Sequence, residues 1–227
     1  MAIKPILFNT EMVQAILDGR KTCTRRVVKT RRKDACGFYV TKRPDGSFTG
    51  IYEYDEDERM FENQLIPPYK PGDILYVRET WERFECWNCD GDERGNCQKE
   101  PKKSVLDKTF GCYMYRATDE ISGDAKWHPS IHMPKEAARI WLKATNVRAE
   151  RLQDITEDGA EAEGAIDNRG FIHSPENEYD RIYTAREHFI EIWDRTIKKS
   201  DLDIYDWDAN PWVWVIEFER CEKPKEV

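Results

Sequence analysis

An α+β fold with a small barrel-like sheet is what this sequence predicts, on three observations. Short strand-like segments recur with turn chemistry between them, helical segments are few, and the connections are long. No internal repeat interrupts that pattern.

The elements follow in order. Lys4-Pro5-Ile6-Leu7-Phe8 is short and apolar and predicts a strand leading into the first helix. Met12, Ala15 and Ile16 stand at i, i+3 and i+4, an apolar helical face, with Thr10 placed to cap it and Gly19 to stop it. Phe38-Tyr39-Val40-Thr41, then Pro44-Asp45-Gly46-Ser47, then Phe48-Thr49-Gly50-Ile51-Tyr52 reads strand, turn, strand: a hairpin. Residues 55–62 are mostly acidic and read as solvated.

Tyr69-Lys70-Pro71-Gly72-Asp73 is a turn into Ile74–Trp81, whose poor alternation suits a strand buried on both faces. Residues 82–111 carry cysteines and no period, as an insertion would. Tyr113–Ala117 resumes as a strand, and the prolines around Trp127–Pro134 mark a loop. From Arg139 to Leu152 the apolar parity changes near Thr145, which predicts a bulge in a long strand. Thr156 is set to cap a short helix over residues 157–163 that Gly164 ends. Thr184-Ala185-Arg186-Glu187 is a capping box, with Phe189, Trp193 and Ile197 on one helical face after it. Residues 198–210 form a polar loop, and Pro211–Phe218 is a closing strand.

The totals bound the rest. The chain has 227 residues, and the expectation is one domain with insertions at about 34–65 and 82–111. Hydrophobic residues make up 39%, and eight tryptophans and ten tyrosines add bulk with polar handles. No apolar run has membrane-spanning length and no leader pattern opens the chain, so a soluble cytoplasmic protein is expected. A net charge of −8 means that contact with nucleic acid must come from a local basic patch. Seven cysteines, an odd number, argue against a disulfide framework in that setting and leave thiols or a metal site. Cys86, Cys89, Cys97 and Cys112 all lie in or beside the second insertion, where four thiolates suit a structural zinc. Their spacing is irregular, and reduced thiols in a loop are the alternative. Cys23, Cys36 and Cys221 are expected to be ordinary thiols. His128 and His132 flank the proline loop as ligands, acid–base groups or hydrogen-bonded loop residues.

The most unusual stretch is Gly19-Arg20-Lys21-Thr22-Cys23-Thr24-Arg25-Arg26, four cations without an acid on an acidic chain. Clustered cations suit the docking of something anionic or electron-rich. A second basic run, Lys29-Thr30-Arg31-Arg32-Lys33, reads as a solvated loop or as a phosphate track for RNA.

Gly19, Lys21 and Arg26 spell G-x-K-x-x-x-x-R after a short helix, a pattern that resembles the ASCH family of the PUA-like superfamily. Lys70-Pro71-Gly72-Asp73, Leu152-Gln153-Asp154-Ile155-Thr156-Glu157 and Val215-Ile216-Glu217-Phe218 are similar to further pieces of that family in the same order. Val77–Trp81, Pro129–Pro134 and Trp207–Trp214 resemble phage- and prophage-borne members. The resemblance implies a PUA-like β-barrel with a cleft and flanking helices, and either nucleic-acid binding or hydrolysis of N(4)-acetylcytidine. The hydrolytic members use a lysine, a threonine and a glutamate, which the matching positions place at Lys21, Thr24 and Glu163. This chain is far longer than those hydrolases, and its insertions lie where a cleft could be reshaped.

Amide hydrolysis needs a nucleophile, a base and an acid for the leaving amine. Thr24 would attack, Lys21 would take its proton, and Glu163 would protonate the cytosine amine. A lysine in that role must have its proton affinity lowered, which neighbouring Arg20, Arg25 and Arg26 and burial would favour. Arg26 would hold the oxyanion, with Gly19, Arg20, Trp81 and Trp214 completing the substrate site and the tryptophans stacking the base. No cofactor is implied for catalysis. The expected activity is an amidohydrolase of N(4)-acylated cytosine nucleosides. The alternatives are an RNA-binding module, in which these are polar residues of a groove, or a single-strand ribonuclease using the same basic cleft.

Overall fold

The computed structural model describes residues 1–85, 102–103, 110–120, 126–169 and 183–225. It is an α+β structure, mostly strands with few helices, and among the described residues its sheets are open. The chain divides into two compact units, each assembled from separated segments.

The first unit comprises Met1–Asp18, Asp73–Lys143 and Arg220–Val227. Strand β1 (Ile3–Leu7) leads into helix α1 (Thr10–Leu17). The cap is Asn9, whose Oδ1 accepts from the Met12 N–H at 2.8 Å, one residue earlier than Thr10. Asparagine and threonine both cap well, and the chain turns helical at Thr10 itself. The buried face is Val13, Ala15 and Ile16, rotated from the expected one because Met12 stays half-exposed. β6 (Ile74–Arg78) runs parallel to β1 and has four consecutive buried residues, the two-sided burial its sequence implied. β7 (Trp81–Glu85) and β8 (Lys102–Lys103) both pair with β9 (Phe110–Tyr115). Asp73 anchors the start of β6 by accepting from the Ala2 N–H and from Lys4 Nζ, at 2.9 and 2.8 Å. Glu79 is only 1% exposed and takes both arms of Arg139 at 2.9 Å, so a buried carboxylate is met by a two-pronged cation.

The second unit comprises Gly19–Gly72 and Ala144–Glu219. β2 (Cys23–Val27) pairs antiparallel with β11 (Trp212–Cys221), with Thr24 opposite Ile216 and Arg26 opposite Trp214. Residues 37–64 form a sheet of three strands, β3 (Gly37–Lys42), β4 (Phe48–Tyr54) and β5 (Met60–Gln64). The hairpin was legible, whereas β5 arises within and beyond a run read as solvated. Four of its five residues are exposed, so hydrogen bonding to β4 rather than burial makes it a strand. β10 (Trp141–Arg151) opens in the first unit and continues here, with Ala144 and Ala149 buried in this part.

Thr156 caps α2 (Glu157–Ala162), and Thr184 with Glu187 forms the reciprocal capping box of α3 (Ala185–Thr196). Within residues 198–210, read as a loop, lie a 3-10 turn (Lys199–Asp201) and the helical turn α4 (Leu202–Tyr205). α2 and α3 bury Ala160, Phe189 and Trp193 against Leu152, Val213 and Val215. Phe189→Ala is expected to cost about 3–5 kcal/mol through cavity creation, and Ile204→Ala, at an exposed position, less than about 0.5 kcal/mol. Urea unfolding of the two variants checks the contrast.

Candidate functional site

The site grows out of the way residues 20–22 meet the end of α2. Arg20 Nη1 donates to the Gly164 carbonyl at 3.0 Å, Lys21 Nζ to the Glu163 carbonyl at 2.7 Å, and the Thr22 N–H to the Ala162 carbonyl at 2.8 Å. Three successive residues thus satisfy three successive carbonyls that a helix end leaves without internal partners. Two of the donors are cations at the negative end of the helix dipole, where positive charge is favoured. Gly164, at φ 92°, turns the chain out of the helix as expected.

That clamp brings the Glu163 side chain to Lys21. Nζ donates to Oε2 at 2.7 Å, with the lysine side chain fully buried and the glutamate 5% exposed. Two of the three residues assigned to catalysis, 142 positions apart, are therefore in contact. Arg25 Nη1 donates to the other oxygen, Oε1, at 3.3 Å, and Nη2 reaches Glu150 Oε2 at 3.5 Å. Arg148 bridges Glu150 and Glu217, and Asn146 Nδ2 donates to Glu217 Oε2 at 3.3 Å. Cations and carboxylates alternate from Lys21 through to Glu217. Two cations of the basic string are thus answered from within the chain, Lys21 by Glu163 and Arg25 by Glu163 and Glu150. Opposite charges held at short range out of water neutralise each other more effectively than at the surface.

Successive residues of a strand face opposite ways. Cys23 and Arg25 lie toward α2, as their contacts with Gly159 and Glu163 attest. Thr24 and Arg26 lie at the alternate positions. Thr24 is 1% exposed. Arg26 is half-buried, and its burial lowers its pKa while the Glu163 carboxylate and Tyr69 act the other way. Tyr69 is pushed up by burial, with Arg26 opposing. Trp214, opposite Arg26, is 5% exposed and stands edge-on to Phe48 with ring centres 6.1 Å apart.

Gly19 adopts φ 78° just after α1, a left-handed conformation natural to glycine. Arg20 is exposed but engaged by Gly164. Trp81 belongs to the first unit, with its ring 5.7 Å from that of Tyr113 and 5.1 Å from that of His128. His128 Nε2 lies 3.6 Å from Glu82 Oε1. His132 ends a short 3-10 turn. Cys86, Cys89 and Cys97 lie outside the described residues, and Cys112 is buried in β9. Among the described residues no group of three or more His, Cys, Asp or Glu side chains is arranged to hold a metal.

Sequence reasoning missed Glu150, Arg148, Glu217 and Tyr69. The first two had a signal: Asn146, Arg148 and Glu150 repeat a polar residue at every second position of one strand, which places all three on one face. Cys23 needs its own account. Burial pushes its thiol up to about 12, with Glu163 adding to the shift and Arg25 and Lys21 opposing it.

Two outcomes are expected. Lys21→Met leaves Glu163 with Arg25 alone and should cost about 3–5 kcal/mol, because one member of a buried pair is stranded. Lys21→Met with Glu163→Leu should recover most of that loss in urea unfolding. Between pH 9.0 and about 12 the Cys23 thiol stays protonated in the folded chain while the unfolded chain loses that proton. The folded state then binds more protons, so its stability falls as pH rises through that window. Cys23→Ala should show a shallower alkaline decline than wild type. Comparison of the chain with protein-family models, curated proteins and solved structures found no significant match.

Proposed function

We propose that this chain is an ASCH-type, PUA-like amidohydrolase acting on N(4)-acylated cytosine nucleosides, with Lys21, Thr24 and Glu163 as its catalytic residues. The observation that carries the reading is the 2.7 Å contact between Lys21 Nζ and Glu163 Oε2 in a site closed to bulk water. A base and an acid are needed at opposite ends of one reaction, and these two groups share a proton path.

The ion pair and its neutral form differ by one proton moved along that hydrogen bond. In the neutral form the Lys21 amine is a base and the Glu163 carboxyl an acid. The Thr24 hydroxyl attacks the acyl carbon as its proton passes to Lys21. The oxyanion that forms draws on Arg26, a cation whose burial strengthens such an interaction. Collapse breaks the carbon–nitrogen bond, and Glu163 protonates the departing N(4) amine, which frees cytidine. Water then attacks the threonyl ester. Its proton goes to Glu163, and Lys21 returns a proton to Thr24, so the neutral pair is regenerated along with a carboxylic acid. Arg25 and Glu150 hold the pair in place from the α2 side of β2.

The test is turnover of N(4)-acetylcytidine. Thr24→Val, nearly isosteric at a buried position, should remove cytidine release while leaving the melting temperature close to wild type. Glu163→Gln should lower kcat by at least about 10²-fold, the usual contribution of a general acid or base. Turnover by Thr24→Val equal to wild type would overturn the mechanism.

A further inference from the structure

A separate cavity in the second unit has no part in that chemistry. It measures about 400 Å³ and is lined by Thr30, Phe38, Tyr54, Arg151, Tyr205 and Trp212 among others. Its walls come from the segment after β2, the β3–β4 hairpin, the end of β10, α4 and the start of β11. That volume lies near the lower end of the roughly 300–1,000 Å³ that small-molecule sites span, so it suits one compact ligand.

The lining is chemically selective. Four aromatic side chains from different elements surround it, which offers flat faces to a planar ring. Arg151 is the charged group in the wall. Its guanidinium lies over the Trp212 ring, 4.7 Å from the centroid, and Nη1 donates to the Asn210 carbonyl at 3.0 Å. Among the described residues Arg151 forms no ion pair, which leaves its charge for a ligand. At the lip, Ile204 is 61% exposed, an apolar side chain held in water.

Charge outside the cavity agrees with charge inside it. The basic run Lys29-Thr30-Arg31-Arg32-Lys33 enters the wall at Thr30 and leads on to Ala35 and Cys36, which also line it. Glu53 Oε1 accepts from the backbone N–H groups of Arg31 and Arg32, at 2.6 and 3.3 Å, and so fixes the run in place. Arg32 is spent on Asp34. Lys29, Arg31 and Lys33 are exposed and form no ion pair among the described residues. On a chain of net charge −8, a cavity walled by aromatics and one arginine, with cations outside and no carboxylate in its lining, favours an aromatic anion.

We propose that this cavity binds a nucleotide unit, its base against the aromatic wall and its phosphate on Arg151 and the adjacent cations. The unit is either a free nucleoside monophosphate or one residue of a single-stranded RNA. Aromatic stacking tolerates any base and the cations hold the backbone, which is how single strands are held without sequence readout. The proposal is independent of the roles given to Lys21, Thr24 and Glu163.

The experiment titrates the full chain with uridine 5′-monophosphate and, separately, with a single-stranded oligouridylate, following the indole N–H signals by NMR. Trp212 is expected to shift with at least one probe. Arg151→Gln, and Ala209→Trp, which fills the cavity, should each weaken that binding by about tenfold or more, while Thr24→Val leaves it unchanged. Binding of the monophosphate as tight as that of the oligonucleotide assigns a free nucleotide. Tighter oligonucleotide binding that falls linearly on a log–log salt plot, with a smaller slope when Lys29, Arg31 and Lys33 are changed to alanine, assigns RNA. Thermal melts of both variants separate lost binding from lost folding, and Arg151→Gln decides if Ala209→Trp does not fold. No Trp212 shift with either probe at low salt, or unchanged affinity in a folded variant, overturns the proposal.

Discussion

The second unit is organised by a buried cation meeting the end of a short helix. Lys21 Nζ touches both the carbonyl and the carboxylate of Glu163, so one side chain closes a helix terminus and forms a dry ion pair. α2 has six residues, too few to be stable by its own hydrogen bonds. Its terminal carbonyls need outside donors, and residues 20–22 supply them in register. Removing water from Lys21 and Glu163 costs several kcal/mol per ion in general, and that cost is offset only while both stay together and Arg25 satisfies the second carboxylate oxygen.

From that clamp the rest of β2 inherits two different faces. One face, with Cys23 and Arg25, meets α2 and the alternating charges of β10 and β11. The same side of the sheet becomes apolar toward Val27, Val213 and Val215, where Phe189 and Trp193 pack. Arg25 sits at the transition, with its guanidinium 5.9 Å from the Phe189 ring centroid. Its Nε is buried without an acceptor among the described residues, a position where an ordered water has a physical reason to sit. The other face, with Thr24 and Arg26, sets its residues opposite Ile216 and Trp214.

Most elements were readable because each had a local cause. The cap at Thr156 and the capping box at Thr184 are formed by residues three apart, and the unbroken apolar run of β6 and the turn glycines act within a few residues. The misses share the opposite property. β5 is a strand because β4 pairs with it, not because of its own pattern. Asn9 rather than Thr10 caps α1, since adjacent polar residues compete for one role and the backbone decides. The resemblance implied that Lys21 and Glu163 share a site; Glu150 and Glu217 were not foreseen, because their partners are reached across strands.

By itself the sequence determined the α+β character, the β3–β4 hairpin and the caps that open α2 and α3. Each of these rests on periodicity, capping or motif spacing, which are properties of short stretches. Only the tertiary structure decided that the cations of residues 20–25 are answered from within, that Thr24 faces away from Cys23 and Arg25, and that aromatics from distant segments enclose a cavity beside Arg151. Charge compensation and cavities depend on which side chains meet in space, and strand register and helix placement set that.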